Sequence, residues 1–139
     1  MIKEIITDTE ILSQKCAPAT AEDAQVAQDL LETLTNTENA AALSANQIGV
    51  TKCIIAYLDE GDHPHIMFNP VMKQALYPAK VTEECLSIEG AQNVRRFAWI
   101  KVAYDELVDG ALVARKREFQ NWEAEVIQHM MDHCKGKLI

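Results

Sequence analysis

The sequence predicts an α+β fold, with antiparallel sheets packed around a C-terminal helix, and three observations lead there. Apolar residues recur at helical spacing in two places only, after Thr20 and after Asn121. Between them lie short β-branched and aromatic runs separated by turn residues. Asp109-Gly110, flanked by alternating apolar positions, marks a tight hairpin, so the strands around it run antiparallel.

The chain has 139 residues, 48% hydrophobic and 24% charged, which fits a single domain over 1–139 with one sizeable core. Its net charge of -8 argues against nucleic acid or an anionic membrane as partner, because both are bound mainly through Lys and Arg. No apolar run approaches the roughly 20 residues that span a bilayer. Met1-Ile2-Lys3-Glu4 lacks the apolar core of a signal peptide, so a cytoplasmic location is expected. Cys16, Cys53, Cys85 and Cys134 show no C-x-x-C spacing, which indicates neither a disulfide framework nor a zinc ribbon. Most are expected to be small buried hydrophobes, with Cys85, after Glu83 and Glu84, the better candidate for chemistry.

Thr20-Ala21-Glu22-Asp23 resembles a capping box, and Val26, Ala27, Leu30, Leu31 and Leu34 follow at helical spacing, giving a helix to about Thr35. A polar break over 35–39 leads into the small-residue segment from Ala40 to Gly49. Small side chains there admit a ligand or another backbone, and equally a tightly packed loop or helix turn. Cys53 to Tyr57 reads as a buried strand, and Glu60 to Pro64 as a turn. His65 to Asn69 is a second strand, expected to stop at Pro70, and His63 and His65 are expected to be solvated. Strand signals continue through Lys80-Val81-Thr82 and into Cys85 to Ile88. Trp99 to Tyr104 alternates, the Asp109-Gly110 turn follows, and Leu112 to Phe119 returns. The closing helix starts near Asn121, with Trp122, Val126, Ile127 and Met130 as apolar positions.

That helix carries His129 and His133. Residues four apart lie one above the other on a helix, so both imidazoles can face one metal ion, as in an H-E-x-x-H site. Such a site has a glutamate after the first histidine to act as base, and Met130 stands there instead. Taken alone, the pair is a coincidence more often than a ligand set.

Two further segments change that balance. Ala40 to Gln47 resembles a glycine-rich motif ending in glutamine, Glu83-Glu84-Cys85-Leu86-Ser87 resembles Glu-Gly-Cys-Leu-Ser, and His129 to His133 resembles His-Glu-x-Asp-His. In order and spacing, the three resemble the motifs of the peptide deformylase family, and the likeness runs over nearly the whole chain. The resemblance implies a hydrolase that removes the formyl group from formyl-methionyl peptides at nascent chain N-termini, acting as a monomer or dimer. It implies one divalent metal, Fe2+ with Zn2+ or Ni2+ as substitutes, held by Cys85, His129 and His133, a ligand set suited to a tetrahedral centre with one open position. Gln47 and the backbone N–H of Leu43 would stabilise the oxyanion, Arg96 would help hold a peptide bound like an added strand, and Asp132 would orient a ligand or tie down the helix. Leu86 and Val126 would line the substrate pocket.

Departures from the family pattern fall inside these motifs. Ala40 and Ala42 replace glycines, Ser44 replaces an alanine, Glu84 replaces the glycine before the cysteine, and Met130 replaces the catalytic glutamate. Ala42 and Glu84 would narrow or recharge the wall where substrate approaches. Strand alternation would turn Glu84 away from the metal if Cys85 faces it. Reduced turnover is therefore expected, with a degenerate metal- and peptide-binding relative as the alternative.

Overall fold

The computed structural model describes residues 1–139, and five strands in one antiparallel sheet form its centre. The elements run α1 (Thr9–Leu12), α2 (Ala24–Thr35), β1 (Ala42–Ser44), β2 (Ile54–Leu58), β3 (Pro64–Glu83), β4 (Gln92–Val108), β5 (Ala111–Gln120) and α3 (Asn121–Cys134). The sheet order β1-β2-β3-β4-β5 follows the chain, so β1 and β5 are its edges.

A helix covers each face of the sheet. Leu30 and Leu34 of α2 pack with Ile54, Ala56 and Phe68, whereas Ala124 and Ile127 of α3 pack with Ile55, Tyr57, Ile100 and Phe119. Successive β2 residues thus serve opposite cores, which explains why this strand is a continuous apolar run rather than an alternating one. The expected capping box forms: the Thr20 hydroxyl and the Asp23 carboxylate each accept a backbone N–H at the helix entry, and a short 3₁₀ turn (Ala21–Asp23) precedes α2. Asp109 and Gly110 have φ of 50° and 81°, the positive pair that a tight hairpin turn between β4 and β5 needs.

Two expected strand boundaries are corrected. Pro70 does not stop β3, because the register shifts between Phe68 and Val71 and a proline without N–H is tolerated where the ladder is broken. Asn69, at φ 53°, occupies this bulge, and its side-chain amide accepts from Ala19 N–H at 2.7 Å and donates to Ala19 O at 2.9 Å, pinning the N-terminal segment. At its far end β3 stops at Glu83, and residues 84–88 are irregular. His65 is also not simply solvated: its Nε2 lies 2.8 Å from Asp59 Oδ2 and its ring stacks on Tyr57 at 5.0 Å.

The C-terminal end of α3 is tied down on two sides. Asn46, in the 3₁₀ turn Ala45–Ile48, donates its amide to His133 O at 2.9 Å. Gly136 follows at φ 81°, and a Cβ there would meet Ser13 O at 2.4 Å, so only glycine allows this approach. Nearer the middle of α3, Gln128 accepts from Phe97 N–H at 2.9 Å and donates to Phe97 O at 2.8 Å, fixing the helix against β4. No helix is long and apolar enough to cross a membrane.

Candidate metal centre

Cys85, His129 and His133 come together where the irregular segment after β3 meets α3. Their ligand atoms all lie within 4.8 Å of one another. Cys85 Sγ is 3.2 Å from His133 Nε2, and the two histidine Nε2 atoms are 3.1 Å apart. Ligands around a tetrahedral zinc-like ion stand about 3.3–3.6 Å apart, so a few tenths of an ångström of expansion would seat one. His129 Nδ1 is taken by Glu83, which fixes the ring with Nε2 toward the triad. His133 Nδ1 is buried without a partner. One thiol and two imidazole nitrogens converging at such distances, with no carboxylate among them, fit a borderline-soft divalent cation.

The electrostatics favour the ligating form of the cysteine. Burial by itself would raise the Cys85 thiol, but hydrogen bonds from His129 and His133 outweigh it and hold it at about 5. Burial opposes charge on His129 as well, and its bonds to Cys85 and Glu83 push it up to about 9.

Beneath the triad runs a buried ion network. Glu83 Oε1 lies 2.7 Å from His129 Nδ1, and Arg96 donates to both Glu83 oxygens, through Nη2 at 2.7 Å and Nε at 2.9 Å. The other arm of the guanidinium donates from Nη1 to Asp132 Oδ2 at 2.7 Å. Burial works against the Glu83 charge, yet His129 and Arg96 hold its carboxyl below the usual range. Arg96, expected to help hold a peptide, has all three guanidinium nitrogens bonded within the protein, to Glu83, Asp132 and Arg95 O, and does not line the cavity. The Asp132 carboxylate is bonded to Arg96 and Lys137 and to neither histidine ring.

Above the triad opens a cavity of about 590 Å³. Ala40, Ala41 and Ala42 form one wall, Leu86 and Glu84 another, and Trp122, Glu125, Val126 and Met130 of α3 a third. Glu84 therefore does face the cavity. The alternation that would turn it away does not apply, because β3 has already ended. Val126 lines the cavity, whereas Ile127 is fully buried in the core. Gln47 donates Nε2 to Ser87 Oγ at 3.2 Å and points it at Cys85 Sγ, 3.4 Å away. Its Oε1 accepts the Ser44 N–H at 2.9 Å, so the amide is held in one orientation.

Leu43 was expected to offer its backbone N–H to the site. Its side chain is wholly buried on the α2 side and is absent from the cavity wall. Leu58 donates to Ala41 O, and with Leu43 opposite Ala56 the antiparallel alternation directs the Leu43 N–H into the sheet. Glu83, Ser87 and Glu125 are the contributors that sequence reasoning passed over. Glu83 and Ser87 were legible as the outer residues of the Cys85 motif, whereas Glu125 had no sequence signal beyond its place one turn before His129.

Comparison with known proteins agrees with this geometry. The polypeptide deformylase family profile matches residues 2–139. A peptide deformylase of Clostridium beijerinckii is 38% identical over 140 residues, covering 100% of both chains. A peptide deformylase structure from Legionella pneumophila superposes with a TM-score of 0.87 at 25% identity, covering 99% of this chain and 83% of that one. One from Thermus thermophilus gives 0.85 at 27% identity with the same coverage. With its fold, its cavity and its Cys-His-His cluster in place, the chain belongs to the peptide deformylase family.

Proposed function

We propose that this protein is a metal-dependent amidohydrolase acting on N-formyl peptides, with formyl-methionyl peptides of nascent chains as the substrate class and a turnover lowered by Met130. The observation that carries the reading is the convergence of Cys85 Sγ, His129 Nε2 and His133 Nε2 at the base of a cavity in a member of this family. Cys85, His129 and His133 would hold a divalent ion, Fe2+ with Zn2+ or Ni2+ as substitutes, which would supply Lewis-acid chemistry to a carbonyl and to water.

The chain's own residues do the rest. The Gln47 amide, held by Ser44 and Ser87, aims Nε2 into the site, where it donates to an oxygen on which negative charge develops. β1, which contributes Ala42 to the cavity wall, is a sheet edge, and an extended peptide can add to it as a further strand. Met130 also lines the cavity, and its thioether neither accepts nor returns a proton near neutral pH. The same observation supports a second reading, in which pocket and metal persist without turnover.

Anaerobic purification followed by elemental analysis is expected to find one divalent ion per chain, lost in Cys85→Ala. Formate release from formyl-Met-Ala-Ser then tests the reaction. An unchanged metal stoichiometry in Cys85→Ala overturns the ligand set, and a fully loaded protein that releases no formate establishes the second reading.

A further inference from the structure

We propose that Cys53 and Cys134 form a peroxide-sensitive dithiol, which closes to a disulfide and fastens the end of α3 to the chain entering β2. The inference goes beyond the reaction proposed above and does not depend on it.

Three of the four cysteines meet, although they lie far apart in sequence. Cys16 and Cys134 are buried in the core on the α3 side of the sheet, and Cys53 is packed against the same core but partly exposed. Backbone bonds hold them there. Cys16 N–H donates to Cys134 O at 2.9 Å, Cys53 N–H donates to Ala17 O at 2.9 Å, and Ala17 and Lys52 form a parallel bridge. Cys53 Sγ lies 3.2 Å from Cys16 O, and each thiol is within reach of the other two. All three are free, and the candidate metal centre uses none of them.

The three thiols are not equivalent. Cys53 combines partial exposure with an acidic thiol, because hydrogen bonds from Cys134 and then Cys16 outweigh burial and hold it below the usual thiol range. A partly exposed thiolate is the form that a peroxide attacks. The Cys53 thiolate takes one oxygen from hydrogen peroxide, the O–O bond breaks, and hydroxide leaves, giving a sulfenic acid. The Cys134 thiol, which makes the leading contact with Cys53, then displaces that oxygen as water and forms the S–S bond. In sum two thiols lose two electrons and two protons, and the peroxide becomes two waters. Cys134 is the last residue of α3 and follows His133 directly, so the bond closes a long loop at the end of the helix that carries the histidines.

The chain loaded with zinc, which has no redox chemistry of its own, is treated with hydrogen peroxide, alkylated and digested with trypsin. The four cysteines then fall on separate peptides, 16–52, 53–73, 81–95 and 118–135. Mass spectrometry is expected to find 53–73 joined to 118–135, two hydrogens below their summed mass and separated by dithiothreitol. In Cys16→Ser/Cys134→Ser, dimedone is expected to trap a sulfenic acid on Cys53, and the linked parent chain is expected to unfold at higher urea than the reduced one. Cys53 left unlinked and alkylated after peroxide overturns the inference, as does its linkage to 16–52 instead, or oxidation confined to Cys85. A linked chain that unfolds at no higher urea overturns the fastening of α3.

Discussion

Glu83 and His129 are joined by a 2.7 Å contact between Oε1 and Nδ1, both groups buried, across 46 positions of sequence. The contact orients the imidazole and makes its other nitrogen a better donor to a metal. Because Arg96 braces Glu83, the ligand field of the candidate centre depends on β3 and β4 as much as on the helix that carries the histidines.

Glu83→Gln should therefore weaken metal binding without removing a ligand. The expected loss is about 10–100-fold in affinity, measured by competition with a chromophoric chelator. A variant that holds metal as tightly as the parent chain would show that the contact does not tune the centre.

Arg96 is bonded on both arms within the protein, to Glu83 and Asp132. Replacing it by Ala leaves Glu83 with only His129, and Asp132 with only the exposed Lys137, as opposite charge in a largely buried setting, and the expected destabilisation is about 3–5 kcal/mol. Urea denaturation of the metal-free chain measures it. A loss below about 1 kcal/mol, with peptide binding weakened instead, would return Arg96 to a peptide-holding role.

At equal metal loading, Met130→Glu should release formate from formyl-Met-Ala-Ser at least about a hundredfold faster than the unaltered chain, since general acid-base catalysis contributes roughly 10²–10⁴-fold. If the rates are equal, the block lies in the cavity walls at Ala42, Glu84 or Glu125, or another group serves as base.

Asp59 offers a test of the fold at low pH. The bond to His65, with backbone N–H groups of His63 and Gly61, holds its carboxyl well below the usual carboxylate range. A carboxylate with a depressed folded pKa contributes stability that is fully present above its unfolded value, near 4, and is lost as pH falls further. The stability gap between the parent chain and Asp59→Asn should thus be constant above about pH 5 and close progressively in more acid solution. A gap that does not vary with pH would remove Asp59 from the acid response.

Local signals were enough for much of the architecture. The Thr20 capping box, the helical spacing of Leu30 and Leu34, the Asp109-Gly110 turn and the i,i+4 histidines all act between residues close in the chain, so they are legible in order along it. Cys85 and Gln47 were recoverable because they sit in short motifs whose spacing resembles a known family. The partner of each charge was not. Arg96 reads from the resemblance as a residue that helps hold a peptide, and only the pairing of β3 with β4 sets it opposite Ala79, where its guanidinium reaches Glu83 and Asp132. The direction of Glu84 depended on where β3 ends, and that of the Leu43 N–H on which pairs of the ladder exchange bonds. The acidity of the cavity was likewise hidden, since Glu125 is one of many acidic residues until α3 packs and leaves it half-buried on the cavity wall. Periodicity and capping are short-range properties of a chain, whereas burial and charge pairing are properties of the space that opens or closes when distant segments meet.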